Sequence, residues 1–460
     1  MKIFPRPLVV TAAAWWPVVL PLALMLASDY KLRSRAHDQA IGGSADLTVL
    51  VEIGIYGAAA LFIYFRFGMR PPTRWRGIQL SVAWLWVLYS AMTALWSPYP
   101  TMSVVRATQM IITMAVVHVL ATRASTIDFH RFAHAFVIVV LLSVGIGIVH
   151  PFPRTSLTLD RFNWLYVHPV IAGVYLGLAV LIVTGFIVRH GMRATRLPGG
   201  RMWPGWAYGG LLIVLAGALV ATGTRGAALG CAVGLAVLLG TVNGPRGRAD
   251  LVVVGFAAVV LAALAFSEPI RSFAARGESA EKLATLNSRT DLWELAFAAF
   301  AKEPLFGHGM GASRGLFLRE TGLGGGHNAF VNAMVDLGAV GLLLLCGLLL
   351  TLAVSLAGMI RHQWVRADAG LLLAIVVFFV VDGMTTEGLA MPANVSGVWL
   401  LVLVAWTAAL RRRLLDNGAP WNPSASKAPT FTPPESTATT GAASSSGSAP
   451  TAWSRPPDTR

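Results

Sequence analysis

The sequence predicts an all-α polytopic membrane protein with about twelve transmembrane helices. Of the 460 residues, 55% are hydrophobic and only 12% are charged. Apolar stretches of roughly 17 to 22 residues recur along the whole chain, and each is long enough to cross a ~30 Å hydrocarbon layer as a helix. These stretches begin near Leu8, Leu47, Ile78, Met102, Phe132, Pro169, Ala207, Gly226, Leu251, Phe330, Ala369 and Ala393.

The distribution of Lys and Arg predicts the orientation of these helices. Alternate connections are rich in basic residues, as at 66–76, 189–201 and 411–413, whereas the connections between them contain few. Because positively charged loops resist translocation, both termini are predicted to be cytoplasmic and the long loop at about 268–329 to face outward. The same asymmetry explains most of the formal net charge of +15, so we predict no nucleic-acid-binding surface.

The two ends of the chain differ in composition. Lys2 and Arg6 precede an apolar stretch that is longer than the core of a signal peptide, so we expect an uncleaved first helix. Residues 416–460 are rich in Pro, Ser, Thr, Ala and Gly, which predicts a disordered cytoplasmic tail after a transmembrane domain of residues 1–415. Cys231 and Cys346 fall in apolar stretches and are expected to be packing residues.

The long outward loop contains one predicted amphipathic helix. In SRTDLWELAFAAFAKEP, Ser288 and Asp291 have capping-box spacing, and Pro304 ends the pattern. LFGHGMGASRG then predicts a glycine-broken turn, followed by a flexible stretch that ends at GLGGGH. We expect the loop to form a wall over the membrane rather than an independent domain.

The segment GLGGGHNAFVNAMVDLG places His327 just before a predicted membrane helix. The positive end of a helix dipole disfavours imidazolium, and a neutral imidazole near the water line is a usable general base. Free backbone N–H groups at the same helix end can bind an anion. Asn328, Asn332 and Asp336 follow at intervals of four and predict a polar stripe. The competing interpretation is a loop histidine that ends a flexible linker.

Two arginines are candidates for binding phosphate. Arg225 lies in ATGTRGAALG, an outward turn, and either reaches lipid headgroups or grips a phosphate of a ligand. Arg289 begins the loop helix, where it is either a solvated charge or a second cation beside Arg225. Arg106, Asp382 and Glu387 lie near the outer ends of apolar stretches, where charge is costly. Structural pairing explains these three as well as a supporting role does.

The sequence lacks the common signatures of metal and nucleotide sites. His150, His168 and His308 have no partner at metal-ligand spacing, and HExxH, CxxC, paired carboxylates, GxSxG and a P-loop are all missing. These missing motifs are compatible with a reaction that uses no metal, nucleotide or other cofactor.

Four segments in order, TGTRGAAL, SRxxLW, PLxGxGxG and HNAFVNAMVDLG, resemble the signatures of the O-antigen ligase and polymerase superfamily. The resemblance covers roughly residues 221–341. It implies a fold similar to that of C-type glycosyltransferases, in the bacterial inner membrane with a periplasmic active site. His327 matches the essential histidine of the family, and Arg225 and Arg289 match its arginines of the turn and the loop helix. His308 falls at a variable position of the motif.

The resemblance implies transfer of O-antigen from undecaprenyl diphosphate to the lipid A core. Diphosphate is a good leaving group, so two arginines can neutralise its developing charge without a cofactor. His327 would accept the proton of the attacking hydroxyl in a single displacement with inversion. The alternatives are an O-antigen polymerase and a protein O-oligosaccharyltransferase, which use the same type of donor. A transporter would need a charged pathway across the bilayer, whereas the candidate residues gather at the outer ends of the helices.

Overall fold

The computed structural model describes residues 15–30, 47–68, 77–153, 161–190, 195–196, 202–203, 205–242, 289–322, 325–391 and 393–418. Its regular elements are helices, apart from a two-stranded antiparallel pair in which Thr195 is opposite Trp203 and Arg196 opposite Met202. The α-helices are α1 (Trp16–Asp29), α2 (Leu47–Phe67), α3 (Ile78–Met92), α4 (Pro100–Arg123), α5 (Thr126–Val149), α6 (Pro169–His190), α7 (Gly205–Ala221), α8 (Arg225–Val242), α9 (Arg289–Lys302), α10 (Ala312–Thr321), α11 (Ala329–Met359), α12 (Arg366–Gly383) and α13 (Val395–Gly418). The strands are β1 (Thr195–Arg196) and β2 (Met202–Trp203), and short 3₁₀ turns cover Thr93–Leu95 and Gly388–Ala390.

The predicted class, a multi-pass helical membrane protein, is confirmed. Among the described helices, six are long and apolar enough to cross a membrane, namely Leu47–Phe67, Ile78–Leu95, Pro100–Arg123, Thr126–Val149, Pro169–Arg189 and Ala329–Met359. Three shorter apolar helices cover Trp16–Asp29, Trp206–Ala221 and Arg225–Thr241. The stretch predicted from Leu251 and the tail after Gly418 lie outside the described residues. The total of twelve spans therefore stays a prediction.

Glycines bring α8 and α12 into close backbone contact. A Cβ on Gly230 would lie 3.0 Å from the Phe378 carbonyl oxygen, and one on Gly234 would lie 3.0 Å from that of Ala374. Residues four apart lie on one helix face, so these glycines form a flat stripe along which the two helices approach. α6 is buried along nearly all of its length and packs against both helices. These three helices position the turns that carry the candidate site.

Large aromatic side chains join α5 to α13 in the core. Trp399 lies 4.9 Å from Phe132 and 5.1 Å from Phe136 between ring centroids, and Trp406 stacks on Phe129 at 5.5 Å. All five rings are buried, and such pairs stabilise a core beyond their area alone. The last described helix is therefore fixed against the middle of the molecule.

The part of α11 after residue 338 has one face for protein and one for lipid. Leu343, Leu350 and Val354 are exposed, whereas Leu345, Leu348 and Leu352 are buried. In hydrocarbon an exposed leucine is favourably solvated, so this face is compatible with contact with lipid tails. The part before residue 338 is different, because it is buried on nearly all sides and carries polar side chains.

A buried ionic cluster joins four helices at the N-terminal end of α12. Asp368 accepts a hydrogen bond from Arg189 of α6 and lies 2.9 Å from Nε2 of His130 in α5. Arg413 of α13 is 3.9 Å from the other carboxylate oxygen. The Asp368 side chain is only 5% exposed, and the two arginines balance its charge.

Candidate functional site

The site is built around a break in α11 at Gly338. This residue has φ +64° and ψ −168°, a conformation that is essentially restricted to glycine. The break frees backbone groups, which a neighbouring loop satisfies: Ala339 N–H donates to the Pro304 carbonyl (2.9 Å) and Val340 N–H to that of Leu305 (3.2 Å). The helix therefore depends on the loop for its own hydrogen bonds.

The glycine motif PLFGHGMG completes the break from the other side. His308 N–H donates to the Val335 carbonyl and Gly309 N–H to that of Asp336, both at 2.9 Å. A Cβ on Gly307 would lie 2.4 Å from the nitrogen of Gly338, and one on Gly309 would lie 2.5 Å from the Cα of Ser97. The alternating glycines are thus explained by close backbone packing.

His308 has a structural partner. Its Nε2 lies 2.8 Å from the Ala299 carbonyl oxygen, near the end of α9. This contact joins the glycine motif to the loop helix. A structural role for His308 agrees with its place at a variable position of the motif.

The predicted loop helix is confirmed as α9, which ends at Lys302 before Pro304. It packs on α11 through a second hydrophobic cluster of Leu292, Ala296, Ala299, Phe317, Val331 and Val335. The prediction of a flexible stretch after the glycine turn is wrong for residues 316–321, which belong to α10. Phe317 is fully buried in this cluster, and the left-handed Gly322 ends the helix.

The polar stripe of α11 anchors the surrounding loops. Asn328 caps the helix by accepting N–H groups of Phe330 (2.9 Å) and Val331 (3.2 Å), so the predicted helix start is confirmed. Asn332 Oδ1 accepts from Gly326 N–H at 3.1 Å. Asp336 Oδ1 accepts from Ser313 N–H at 2.6 Å, at the start of α10. All three side chains thus hold backbone in place beneath the histidine.

His327 is held from two sides and leaves its ring partly open. Its φ is +50°, and its backbone N–H donates to Glu387 Oε1 at 3.1 Å. The same oxygen lies 3.6 Å from the ring Nδ1, and the histidine side chain is 46% exposed. On the other side, Trp293 Nε1 donates to the carbonyl of Gly326 at 3.2 Å. The ring therefore stands at a fixed place with one edge accessible.

The turn with Arg225 lies against the turn that carries Glu387. Arg225 begins α8 and is half-buried. A Cβ on the next residue, Gly226, would come within 1.7 Å of Thr385 Oγ1, and Thr385 is two residues before Glu387. The fold therefore connects the predicted phosphate-binding turn to the histidine through one short segment.

Arg161 braces the same turn, although no motif in the sequence marks it as part of the site. Its Nε donates to the Thr222 carbonyl at 2.8 Å and its Nη2 to Thr224 Oγ1 at 3.0 Å. No spacing rule relates residue 161 to residues 222–224, so only the fold reveals the contact.

The remaining predicted residues have different positions. Arg289 begins α9, but its side chain lies outside the described residues. Arg106 pairs with Glu52 (3.3 Å) and Gln109 (3.0 Å), which is a structural role. Asp382 is 1% exposed and accepts a hydrogen bond from Thr386 Oγ1 at 2.8 Å. Within the described part of the chain, its Oδ1 has no hydrogen-bond partner.

Metal-ligating side chains do not cluster in the described residues: no three His, Cys, Asp or Glu residues come together there. The arrangement around His327 instead offers a partly exposed imidazole, a carboxylate beside it and a cation on a neighbouring turn. This combination suits proton transfer next to an anionic group.

The comparison with protein families bears on the same residues. Residues 210–346 match the family model described as O-Antigen ligase. The matched segment contains the Arg225 turn, α9, the glycine motif and His327. No curated protein matches the chain. Residues 210–346 of this chain are thus similar to the O-antigen ligase family.

Proposed function

We propose that this protein transfers O-antigen polysaccharide from undecaprenyl diphosphate to the core oligosaccharide of lipid A. The observation that carries the proposal is the placement of His327, a half-exposed imidazole held at the start of α11 inside the segment similar to the O-antigen ligase family. A histidine in this setting can act as general base toward a sugar hydroxyl. The proposal names the donor and acceptor of a reaction whose general class the family already indicates.

The reaction is a single displacement with inversion. The imidazole of His327 accepts the proton of the acceptor hydroxyl while that oxygen attacks the anomeric carbon from the face opposite the leaving group. The carbon–oxygen bond to the diphosphate breaks, and the electron pair leaves with the diphosphate. Arg225, and Arg289 at the start of α9, neutralise the charge that develops there, so no cofactor is required.

The site faces the periplasm in this proposal, with both termini in the cytoplasm and about twelve spans in the inner membrane. The excess of Lys and Arg in alternate connections supports this orientation. It also places the site where the lipid-linked donor and the lipid A core would meet. Asn328 and Asp382 support the site by holding its turns, as their hydrogen bonds suggest.

The proposal is tested in a deletion strain complemented with wild type, His327→Ala or His362→Ala. His362 is an exposed histidine in the turn before α12, so its removal controls for loss of a histidine away from the site. We expect His327→Ala to leave lipopolysaccharide without O-antigen, while glycans of normal length accumulate on the carrier lipid. His362→Ala should behave as wild type.

Other outcomes identify the alternatives. If the protein is a polymerase, the strain with His327→Ala should carry single repeat units on the lipid A core. If it is a protein glycosyltransferase, the lipopolysaccharide of that strain should be unchanged. In a reconstituted assay, His327→Ala should lower turnover on the order of 10²- to 10⁴-fold, the usual contribution of a general base. Ligation that survives His327→Ala, or that is abolished by a chelator, would contradict the proposed mechanism.

A further inference from the structure

The geometry points to Glu387 as the positioning residue of His327, the carboxylate that orients the imidazole and stabilises it once protonated. This inference rests on the proposed function, because it assigns a partner to the proposed base. Glu387 lies outside residues 210–346, in the turn between α12 and α13. It therefore comes from a part of the chain that the family match does not cover.

One carboxylate oxygen reaches both the backbone and the ring of the histidine. Glu387 Oε1 accepts the N–H of His327 at 3.1 Å and lies 3.6 Å from Nδ1. The second distance is longer than a hydrogen bond, but such contacts often shorten when substrate binds. With Nδ1 turned toward the carboxylate, Nε2 is on the opposite side of the ring for the acceptor hydroxyl. The partner of one ring nitrogen determines which tautomer is present.

The glycine run leaves the space that the carboxylate fills. A Cβ on Gly325 would lie 2.1 to 2.2 Å from the carboxyl atoms of Glu387. A Cβ on Gly326 would lie 2.8 Å from Asn332 Oδ1 and 2.9 Å from the Phe317 ring. Gly325 thus leaves room for the Glu387 carboxylate, and Gly326 leaves room for Asn332 of α11 and for the Phe317 ring. This close fit places the carboxylate beside the histidine rather than in solvent.

The turn that holds Glu387 is itself fixed. The Asp382 carbonyl accepts the N–H groups of Thr385 (2.8 Å) and Thr386 (2.9 Å), and Gly388 begins a 3₁₀ turn directly after Glu387. The Glu387 side chain is 25% exposed, so its charge is only partly screened by water. When His327 accepts the proton from the acceptor, the imidazolium is formed next to this negative charge.

The test separates the charge of Glu387 from its shape. Glu387→Gln keeps an oxygen that can accept the His327 N–H but removes the charge, whereas Glu387→Asp keeps the charge on a shorter side chain. We expect Gln to lower turnover by at least about tenfold, with the KM values of both substrates nearly unchanged, since the charge acts mainly in the transition state. Asp should retain more turnover than Gln. Glu320→Gln, an exposed carboxylate of α10, is the matched control and should behave as wild type.

Two results would overturn the inference. Wild-type turnover in Glu387→Gln, with a lower value in Glu387→Asp, would mean that only the shape and the backbone contact matter. A thermal midpoint that falls in parallel with turnover in both variants would mean that Glu387 only stabilises the fold. If His327→Ala remains active, the proposed function fails first. If His327→Ala is inactive while Glu387→Gln is fully active, only the role of Glu387 fails.

Discussion

The two ends of helix α12 both carry acidic side chains, but the surroundings of these side chains differ. At the N-terminal end, Asp368 contacts two arginines and a histidine from three other helices. At the C-terminal end, Asp382 accepts one side-chain hydrogen bond, and Glu387 in the following turn contacts the half-exposed His327. One helix therefore connects a closed ionic cluster to an open polar site.

The difference indicates how a structural charge can be told from a functional one. Asp368 lies beside two arginines and a histidine, so its carboxylate is fully paired and joins helices. Glu387 has a weaker, longer contact with a ring that can gain a proton, and Asp382 keeps one oxygen without a partner in the described part of the chain. Groups with unused capacity can respond to a substrate, whereas groups that are fully paired mainly hold the fold.

The largest effect on stability is expected from Asp368→Ala. Removing this carboxylate leaves the partly buried Arg189 without its counter-charge, and breaking a buried ion pair in this way typically costs about 3–5 kcal/mol. We expect a clear fall in the midpoint of thermal unfolding in detergent, with activity per folded molecule unchanged. The measurement combines thermal unfolding with a reconstituted transfer assay on the fraction that remains folded.

Arg413→Ala is the matched control for this variant. Its guanidinium is 35% exposed and 3.9 Å from the carboxylate, so the expected loss is at most about 1 kcal/mol. If Asp368→Ala loses activity at wild-type stability, the cluster has a role in the reaction and the contrast between the two ends of α12 is lost.

At the open end, Gly338→Ala is expected to reduce stability and activity together. A side chain at φ +64° and ψ −168° is strained, and its Cβ would lie 2.4 Å from the Leu305 carbonyl oxygen. We expect a total cost of about 3 kcal/mol, with separation of the glycine motif from α11. Thermal unfolding and transfer activity should fall in parallel.

Gly347→Ala, nine residues later in the same helix, has open space around it and should be nearly neutral. Wild-type behaviour of Gly338→Ala would show that the break in α11 is not needed to assemble the site.

A smaller and purely kinetic effect is expected from Gly325→Ala. The added methyl group would occupy the place of the Glu387 carboxylate and push it away from His327. We expect turnover to fall about tenfold, equivalent to about 1.4 kcal/mol in the barrier, with an unchanged thermal midpoint. Gly217→Ala in α7, which meets no atom within 4 Å, is the control. A change in KM with unchanged turnover would argue against displacement of the carboxylate.

The local features of the site could be predicted from the sequence. Helix caps and glycine turns depend on residues that are close in the sequence. The start of α11 at Asn328 and the loop helix before Pro304 can therefore be predicted from residue spacing. The polar stripe at Asn332 and Asp336 also follows from helical periodicity. The number of spans rests on apolar length alone, and among the described helices six are long and apolar enough to cross a membrane.

The contacts that join distant segments could not be predicted. Glu387 follows His327 by sixty residues in the sequence, and no periodic pattern relates the two. The break at Gly338 could not be predicted either, because a glycine alone does not mark a break: Gly341, three residues later, lies within the helix. α10 was missed since Phe317 is buried only when α9 and α11 are already in place.

The smallest effect is expected where the loop helix meets the glycine run. Trp293→Phe removes the donor to the Gly326 carbonyl (3.2 Å) but keeps a ring against the second hydrophobic cluster. We expect a local loss of about 1 kcal/mol, hence roughly fivefold faster amide exchange at residues 325–328, with an unchanged global midpoint. Trp364→Phe, an exposed tryptophan before α12, should leave this exchange unchanged. If the exchange does not respond to Trp293→Phe, then α9 does not hold the glycine run, and Glu387 and the stripe of α11 fix His327 by themselves.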